Sequence, residues 1–358
     1  MSEGFWSESF WLPAGANWTS LEAKDSFSPK AAHLALALPL ALAFCFLRLF
    51  FEMWIARPLG RALGLVEQKQ RVGSVWESGK RLAFRVVRLP SDCLASLFPT
   101  SPACTAKTLP DANGNTIQAY ASPRRRRGPS KSKLDKFAEC SYRFTYYSWS
   151  CAFAAYTLWD KPWSWETLGC WEGWPAQRME EDIAAYYLIQ SAFYLGLLVS
   201  LFRDVRRSDW AMNGVHHVIT LGLLLFSWCG NFIRIGALVL AVHDLVDPWL
   251  EAAKMARYAG YQRICDAFFV IFTLIWIASR LILYPLWILR STLVEAPTVL
   301  GPFPAYYIFN ALLLALQVLH IIWTAMIFRV ILNALKDQKT QDCRSEDEES
   351  EAEFEKQD

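Results

Sequence analysis

Two adjacent histidines, His216 and His217, lie in an apolar stretch long enough to cross a membrane. In the next apolar stretch His243 and Asp244 are adjacent, and Asp247 follows within one helical turn. Ionisable side chains are costly in hydrocarbon, so they rarely persist inside a membrane span without a function. Imidazole and carboxylate groups transfer protons near neutral pH, and a neutral imidazole can also attack a reactive acyl group. These five residues therefore predict an intramembrane acid–base or nucleophilic centre.

Two other interpretations of the same residues exist. Polar side chains in membrane spans can join helices by hydrogen bonds, and His and Asp are also metal ligands. Three histidines with two aspartates exceed what helix association needs, and they are far fewer than the histidines of membrane di-iron oxygenases. We therefore expect a centre without a metal. His320, in the middle of the last apolar stretch, is expected to be a buried histidine with hydrogen-bond partners, outside this centre.

Composition and hydropathy indicate an all-helical membrane protein. Of the 358 residues 54% are hydrophobic, and the mean hydropathy is +0.17. A spanning helix needs about 20 apolar residues. Seven stretches are candidates for such helices: 31–55, 144–158, 183–202, 212–228, 232–250, 264–289 and 304–332.

The orientation in the membrane follows from the basic residues. Lys and Arg are frequent after the first, third, fifth and seventh stretches, and cytosolic loops carry such an excess. This places the N-terminus in the lumen and the C-terminus in the cytosol. The sequon Asn17-Trp18-Thr19 lies in the predicted lumenal head, so we expect glycosylation at Asn17. Both titratable clusters then lie near the cytosolic face, at similar depth.

Five segments are predicted along the chain. They are a lumenal head at 1–30, a first transmembrane helix at 31–56, a basic cytosolic loop at 57–140, a helical catalytic domain at 141–335 and an acidic, disordered cytosolic tail at 336–358. Ser345 and Ser350 in this tail precede acidic residues and suit an acidophilic kinase, although the tail could simply aid solubility.

Two runs of sequence, 209–220 and 240–254, resemble the longevity-assurance motif of ceramide synthases, which belong to the TLC membrane superfamily. The similarity continues to Arg280 and 284–287, and residues 124–144 look like the end of the homeobox-like region of the animal enzymes. Many members carry Ser or Ala where Val246 stands here. Pro248 is expected to kink the exit of the fifth stretch.

The resemblance implies an all-α integral membrane protein with about seven transmembrane helices, six of which form a TLC-type bundle around an intramembrane cavity. It implies an enzyme of the endoplasmic reticulum membrane that transfers a fatty acyl group from acyl-CoA to the amine of sphinganine or sphingosine. Acyl-CoA is then a co-substrate and no further cofactor is expected. The expected partners are the two substrates, membrane lipids and a second copy or a related synthase, and not nucleic acid, since the recognition-helix Asn of a homeodomain is missing.

The resemblance also implies roles for the site residues. His216 is predicted to carry the acyl group, with His217 as its partner, while His243 with Asp244 serves as base and orienter and Asp247 belongs to the same motif. Four basic residues at the cytosolic mouth could bind the phosphates of CoA or, alternatively, anionic lipids: Arg203, Arg206, Arg207 and Lys254. The alternative function is that of a non-catalytic TLC protein that binds lipids or accompanies the translocon.

Overall fold

The computed structural model describes residues 6–21, 31–66, 105–110, 116–121, 132–203 and 210–335. The chain forms two compact units, one made of residues 1–67 and 132–358 and the other of residues 68–131. In the second unit two antiparallel strands are described, β1 (Thr105–Pro110) and β2 (Thr116–Ala121), with Thr105 opposite Ala121 and Pro110 opposite Thr116. This strand pair lies in the segment for which the sequence predicted only a loop.

The regular secondary structure described in the first unit is all helical. Its helices are α1 (Glu8–Trp11), α2 (Ala31–Leu34), α3 (Ala37–Phe51), α4 (Arg57–Ala62), α5 (Lys133–Leu158), α6 (Pro162–Trp165), α7 (Glu181–Arg203), α8 (Trp210–Cys229), α9 (Ile233–Asp244), α10 (Asp247–Tyr258), α11 (Gln262–Trp276), α12 (Ala296–Val299) and α13 (Pro304–Leu335). Wider π-helical turns connect α3 to α4 at Glu52–Ala56, and α11 to α12 at Ile277–Leu289 and Ser291–Glu295. Short 3₁₀ turns lie at Trp18–Leu21 and Thr167–Cys170.

Five helical stretches are long and apolar enough to cross a membrane: Ala32–Ala62, Glu181–Leu201, Trp210–Cys229, Gln262–Val299 and Pro304–Leu332. They correspond to the first, third, fourth, sixth and seventh stretches of the sequence analysis, and they confirm an all-α integral membrane fold. The predicted count of seven is not confirmed. The second stretch is part of α5, whose N-terminal half is polar and charged, and the fifth is divided between α9 and α10.

The fifth stretch is divided because the regular helix is interrupted at Leu245 and Val246, although both residues keep αR backbone angles. Pro248 occupies the first turn of α10, where its missing N–H leaves no helical hydrogen bond unmade. With 12 residues, α9 is only about 18 Å long, so it cannot cross a hydrocarbon core of about 30 Å by itself. This interruption lies where a kink was predicted from Pro248, and it separates Asp247 from the helix that carries His243 and Asp244.

Packing joins these helices around α9. Helix α7 packs against α3 and α8, α13 packs against α8 and the π-helical segment, and α10 lies between α5 and α11. The largest buried cluster contains aromatic and aliphatic residues from α7, α8, α9 and α13.

Helix α5 begins at a cap, in which Ser132 Oγ accepts a hydrogen bond from the Asp135 backbone N–H at 3.1 Å. The predicted domain boundary between residues 140 and 141 falls inside this helix.

One glycine allows a close approach between α7 and α9. A Cβ atom at Gly236 would overlap the Tyr187 hydroxyl and lie 3.2 Å from Ser227 Oγ. Tyr187 is 1% exposed and hydrogen-bonded to Ser227, so its ring has little freedom to move away. We therefore expect Gly236→Ala to lower the free energy of unfolding by about 1–3 kcal/mol, the usual cost of overpacking a core. The measurement is the thermal unfolding temperature in detergent.

Gly196→Ala is the matched control for that substitution. Gly196 also lies within a helix, and a Cβ atom there would meet nothing within 4 Å. Alanine is the better helix former, so this variant is expected to gain about 0.5–1 kcal/mol. Equal unfolding temperatures for the two variants would contradict the proposed contact.

Candidate functional site

A narrow cavity lies between α7, α8, α9 and α13, and two of the predicted histidines line it. His216 borders it from α8 and His243 from α9, with Tyr194 of α7 contributing a hydroxyl. The rest of the wall is largely apolar and includes Leu223, Leu224, Val239, Leu240, Phe309 and Leu313. The cavity therefore brings imidazole groups next to a largely apolar wall.

The paired histidines differ in their surroundings. The ring centroids of His216 and His217 are 5.5 Å apart, and those of His216 and Trp323 are 5.3 Å apart with the ring planes nearly perpendicular. Only His216 lines the cavity, which follows from the angle of about 100° between successive residues of a helix. The Nδ1 atoms of both rings are buried without a hydrogen-bond partner. Buried unpaired polar atoms are uncommon and often indicate a functional site.

His243 is held by two hydrogen bonds and contacts His320, which the sequence analysis placed outside the centre. His243 Nδ1 lies 2.6 Å from the Val239 carbonyl oxygen, and His243 Nε2 lies 3.1 Å from His320 Nε2. His320 is 1% exposed, so it is buried with a partner as expected. Its predicted separation from the centre was wrong, because α9 is short and its His243 end lies beside the middle of α13.

Asp244 does not orient His243, in contrast to the prediction. Its carboxylate is fully buried and accepts hydrogen bonds from Ser150 Oγ at 2.5 Å, from Tyr194 Oη at 2.8 Å and from the Gln190 amide. Adjacent residues of a helix point about 100° apart, so His243 faces α13 while Asp244 faces α5 and α7. Asp244 instead positions Tyr194, whose ring lines the cavity.

Arg280, from the π-helical segment, holds the end of α9. Its guanidinium donates to the Val242 carbonyl at 3.2 Å and to the His243 carbonyl at 2.8 Å, and it lies 5.4 Å from the Trp276 ring centroid. These carbonyls lie in the last turn of α9, where intrahelical partners run out, and a cation there also stabilises the helix dipole. Asp247 lies beyond the break, and the structure shows no hydrogen bond between it and His243.

Lys254 is buried within an ion cluster and does not face the solvent, contrary to its predicted role in binding phosphate. It is 8% exposed, and its Nζ donates to Glu251 Oε1 at 2.9 Å. Arg143 Nε lies 3.2 Å from the same oxygen, and Arg143 also donates to Glu139 at 2.5 Å. An ammonium that is already paired with a carboxylate and shielded from solvent is poorly placed to bind a phosphate.

The charge of Glu251 depends on these neighbours. Burial raises the pKa of the Glu251 carboxyl, but Arg143 and Lys254 outweigh burial and lower this pKa to about 2. Because the folded-state pKa is below the unfolded value of about 4.3, this group stabilises the fold above pH 4.3. That contribution is lost as the pH falls toward 2.

The remaining predicted sites lie partly outside the described residues. The side chain of Arg203, together with Arg206, Arg207, Ser345 and Ser350, belongs to the parts of the chain that the structure does not describe. Asn17 is exposed, and Thr19 Oγ1 donates a hydrogen bond to Asn17 Oδ1 at 2.6 Å. Within the described ranges no group of three or more His, Cys, Asp or Glu side chains could hold a metal ion.

The sequence analysis missed several polar residues around the centre. Gln190 and Tyr194 on α7, Ser150 on α5, and Arg280 contact either Asp244 or the end of α9. A signal for two of them was present, since Gln190 and Tyr194 are four residues apart and share one face of an apolar helix. Polar residues at that spacing in a membrane span predict a partner on a neighbouring helix.

Comparison with known proteins gives a consistent result over nearly the whole chain. Residues 136–329 match the family model of the TLC domain. Ceramide synthase 5 of Mus musculus is 38% identical over 348 residues, which cover 96% of this chain and 82% of that protein. Ceramide synthase 4 of Homo sapiens is 37% identical, covering 98% and 87% respectively. Ceramide synthase hyl-1 of Caenorhabditis elegans is 36% identical over 231 residues, covering 61% and 62%.

The burial of Lys254 leads to a prediction about stability. Lys254→Met removes one charged hydrogen bond from buried Glu251, so we expect a loss of about 1.5–3 kcal/mol in the free energy of unfolding. Lys133→Met is the control, since Lys133 is exposed at the start of α5. Thermal unfolding of the two variants in detergent measures the difference. Equal unfolding temperatures would show that Lys254 is not part of a stabilising ion cluster.

Proposed function

Because the chain belongs to the ceramide synthases of the TLC family, we propose that it transfers a fatty acyl group from acyl-CoA to the amine of a sphingoid base, giving ceramide or dihydroceramide. The observation that carries this proposal is the cavity in which His216 and His243 meet an apolar wall. An imidazole next to apolar side chains can react with the carbonyl of an acyl chain while those side chains contact the hydrocarbon.

The reaction proceeds in two steps. A ring nitrogen of His216 attacks the thioester carbonyl, the C–S bond breaks, and CoA leaves as a thiolate that takes up the proton lost from the other nitrogen of the His216 ring. The neutral amine of the sphingoid base then attacks the acyl-imidazole, the bond from carbonyl carbon to imidazole nitrogen breaks, and the amide forms. The proton that the amine releases passes through a nearby base to the departing His216 ring and restores its neutral form. Covalent catalysis of this kind divides one difficult transfer into two easier steps.

The proton released by the amine needs an acceptor close to His216. Both ring nitrogens of His243 already have hydrogen-bond partners, whereas Nδ1 of His217 has none. We therefore assign the role of base to His217, and this assignment replaces the earlier one to His243. The Asp244 carboxylate acts through Tyr194, whose hydroxyl it fixes at the cavity wall.

We also propose that the protein crosses the endoplasmic reticulum membrane several times and that its N-terminus lies in the lumen. The head packs on the far end of α8, where the Trp11 and Phe226 ring centroids are 5.0 Å apart. Phe226 is ten residues from His216, which corresponds to about 15 Å along the helix. A glycan on Asn17 would therefore support a position of His216 near the opposite, cytosolic face, where acyl-CoA is available.

We expect acyl-CoA alone to leave one acyl group on the purified protein. Intact-mass analysis should show this adduct, addition of sphinganine should discharge it, and His216→Ala should abolish it and lower kcat by about 10³-fold or more. His33→Ala is the control, because His33 lies in α2, outside the residues that line the cavity. An adduct that persists in His216→Ala would place the nucleophile elsewhere.

The orientation gives a separate prediction. Protein expressed in cells should run at a lower apparent mass on gel electrophoresis after treatment with an N-glycosidase. The Asn17→Gln variant should run at that lower apparent mass without treatment. Thr19→Val is the sharper variant, because it keeps Asn17 and removes only the hydroxyl that the sequon requires. A mobility that neither substitution nor enzyme changes would argue against a lumenal, glycosylated head.

A further inference from the structure

His320 is the one imidazole in the centre that neither the motif nor the proposed mechanism uses. It projects from the middle of α13 and is 1% exposed. Its ring centroid lies 5.0 Å from that of His243 and 4.9 Å from that of Tyr284. The shortest polar contact joins the two Nε2 atoms, His320 to His243, at 3.1 Å.

The tautomers of the two rings follow from their partners. A carbonyl oxygen only accepts hydrogen bonds, so the contact of 2.6 Å with Val239 requires a proton on His243 Nδ1. In a neutral ring the Nε2 atom of His243 then carries a lone pair and no hydrogen. The contact between the two Nε2 atoms therefore requires His320 to donate. The amide of Gln317, 3.5 Å from His320 Nδ1, is a weaker partner and can rotate to present its nitrogen.

We propose that His320 is a positioning residue that occupies the lone pair of His243 and so prevents His243 from being acylated. The inference rests on the proposed acyl-histidine step. His243 lines the same cavity as His216, so both rings face the space in which we place the thioester carbonyl. A nucleophilic imidazole needs a free lone pair, and the hydrogen bond from His320 removes the only one that His243 has.

The consequence is a choice between two nitrogen nucleophiles. At His216 the acyl carbon exchanges its bond to sulfur for a bond to nitrogen, and the thiolate leaves. The same exchange at His243 would give an acyl group held against α13, away from His217 and its proton-accepting nitrogen. The hydrogen bond between His320 and His243 directs the acyl group to the productive ring.

The test uses two variants of the full-length protein. His320→Leu removes the donor, so incubation with acyl-CoA should give a second adduct, located on His243 by peptide mass mapping. His320→Gln keeps an amide N–H that reaches about the position of Nε2, so acylation should remain confined to His216. We also expect kcat to fall about tenfold in the Leu variant, the effect of one lost hydrogen bond, and to recover in the Gln variant with KM for acyl-CoA unchanged.

The double variant His216→Ala with His320→Leu separates this inference from the proposed function. Acylation of His243 in the double variant, but not in His216→Ala alone, supports the role of His320. Acylation of His216 in the wild type without any adduct on His243 in His320→Leu would overturn the inference and leave the proposed function standing. Absence of any adduct in the wild type would instead refute the covalent mechanism itself. If His320→Leu fails to fold, second-site acylation in the Gln variant would still overturn the inference.

Discussion

A carboxylate that is cut off from water must find its hydrogen-bond donors within the protein, and Asp244 is the residue around which the rest of the site is arranged. Its three donors come from α5 and α7, so one side chain of α9 fixes the positions of two neighbouring helices. Removing a partner from such a network leaves buried groups unsatisfied, which costs more than the hydrogen bond itself contributes. His243 is the adjacent residue on the same short helix, so the contacts that anchor Asp244 also fix the position of His243.

Much of the architecture could be predicted from the sequence, because long apolar runs have one stable form in a membrane. All five stretches that meet the length and hydropathy of a span were predicted, and the interruption before Asp247 lies where Pro248 was expected to kink the helix. The count of spans could not be fixed, because α9 is apolar but too short to cross. Hydropathy measures how apolar a segment is, and it does not report where the helix within that segment ends.

The composition of the site was also predictable, but its internal hydrogen bonds were not. His216 and His243 do line one cavity, as their shared depth indicated. Adjacency in sequence suggested that Asp244 serves His243, yet neighbours on a helix diverge by about 100°, and their partners come from different helices. The partners themselves, His320 and Tyr194, are determined by tertiary packing. Lys254 shows the same limit, since its spacing from Glu251 permits a pair but does not reveal that both are buried.

The hydrogen bonds from Arg280 to the last turn of α9 have a further consequence. A guanidinium keeps its charge at any pH that a cell compartment reaches. The hydrogen bonds from Arg280 to the carbonyls of Val242 and His243 therefore do not depend on the local pH. The end of α9 that carries His243 is therefore held in the same way in a neutral and in a mildly acidic compartment.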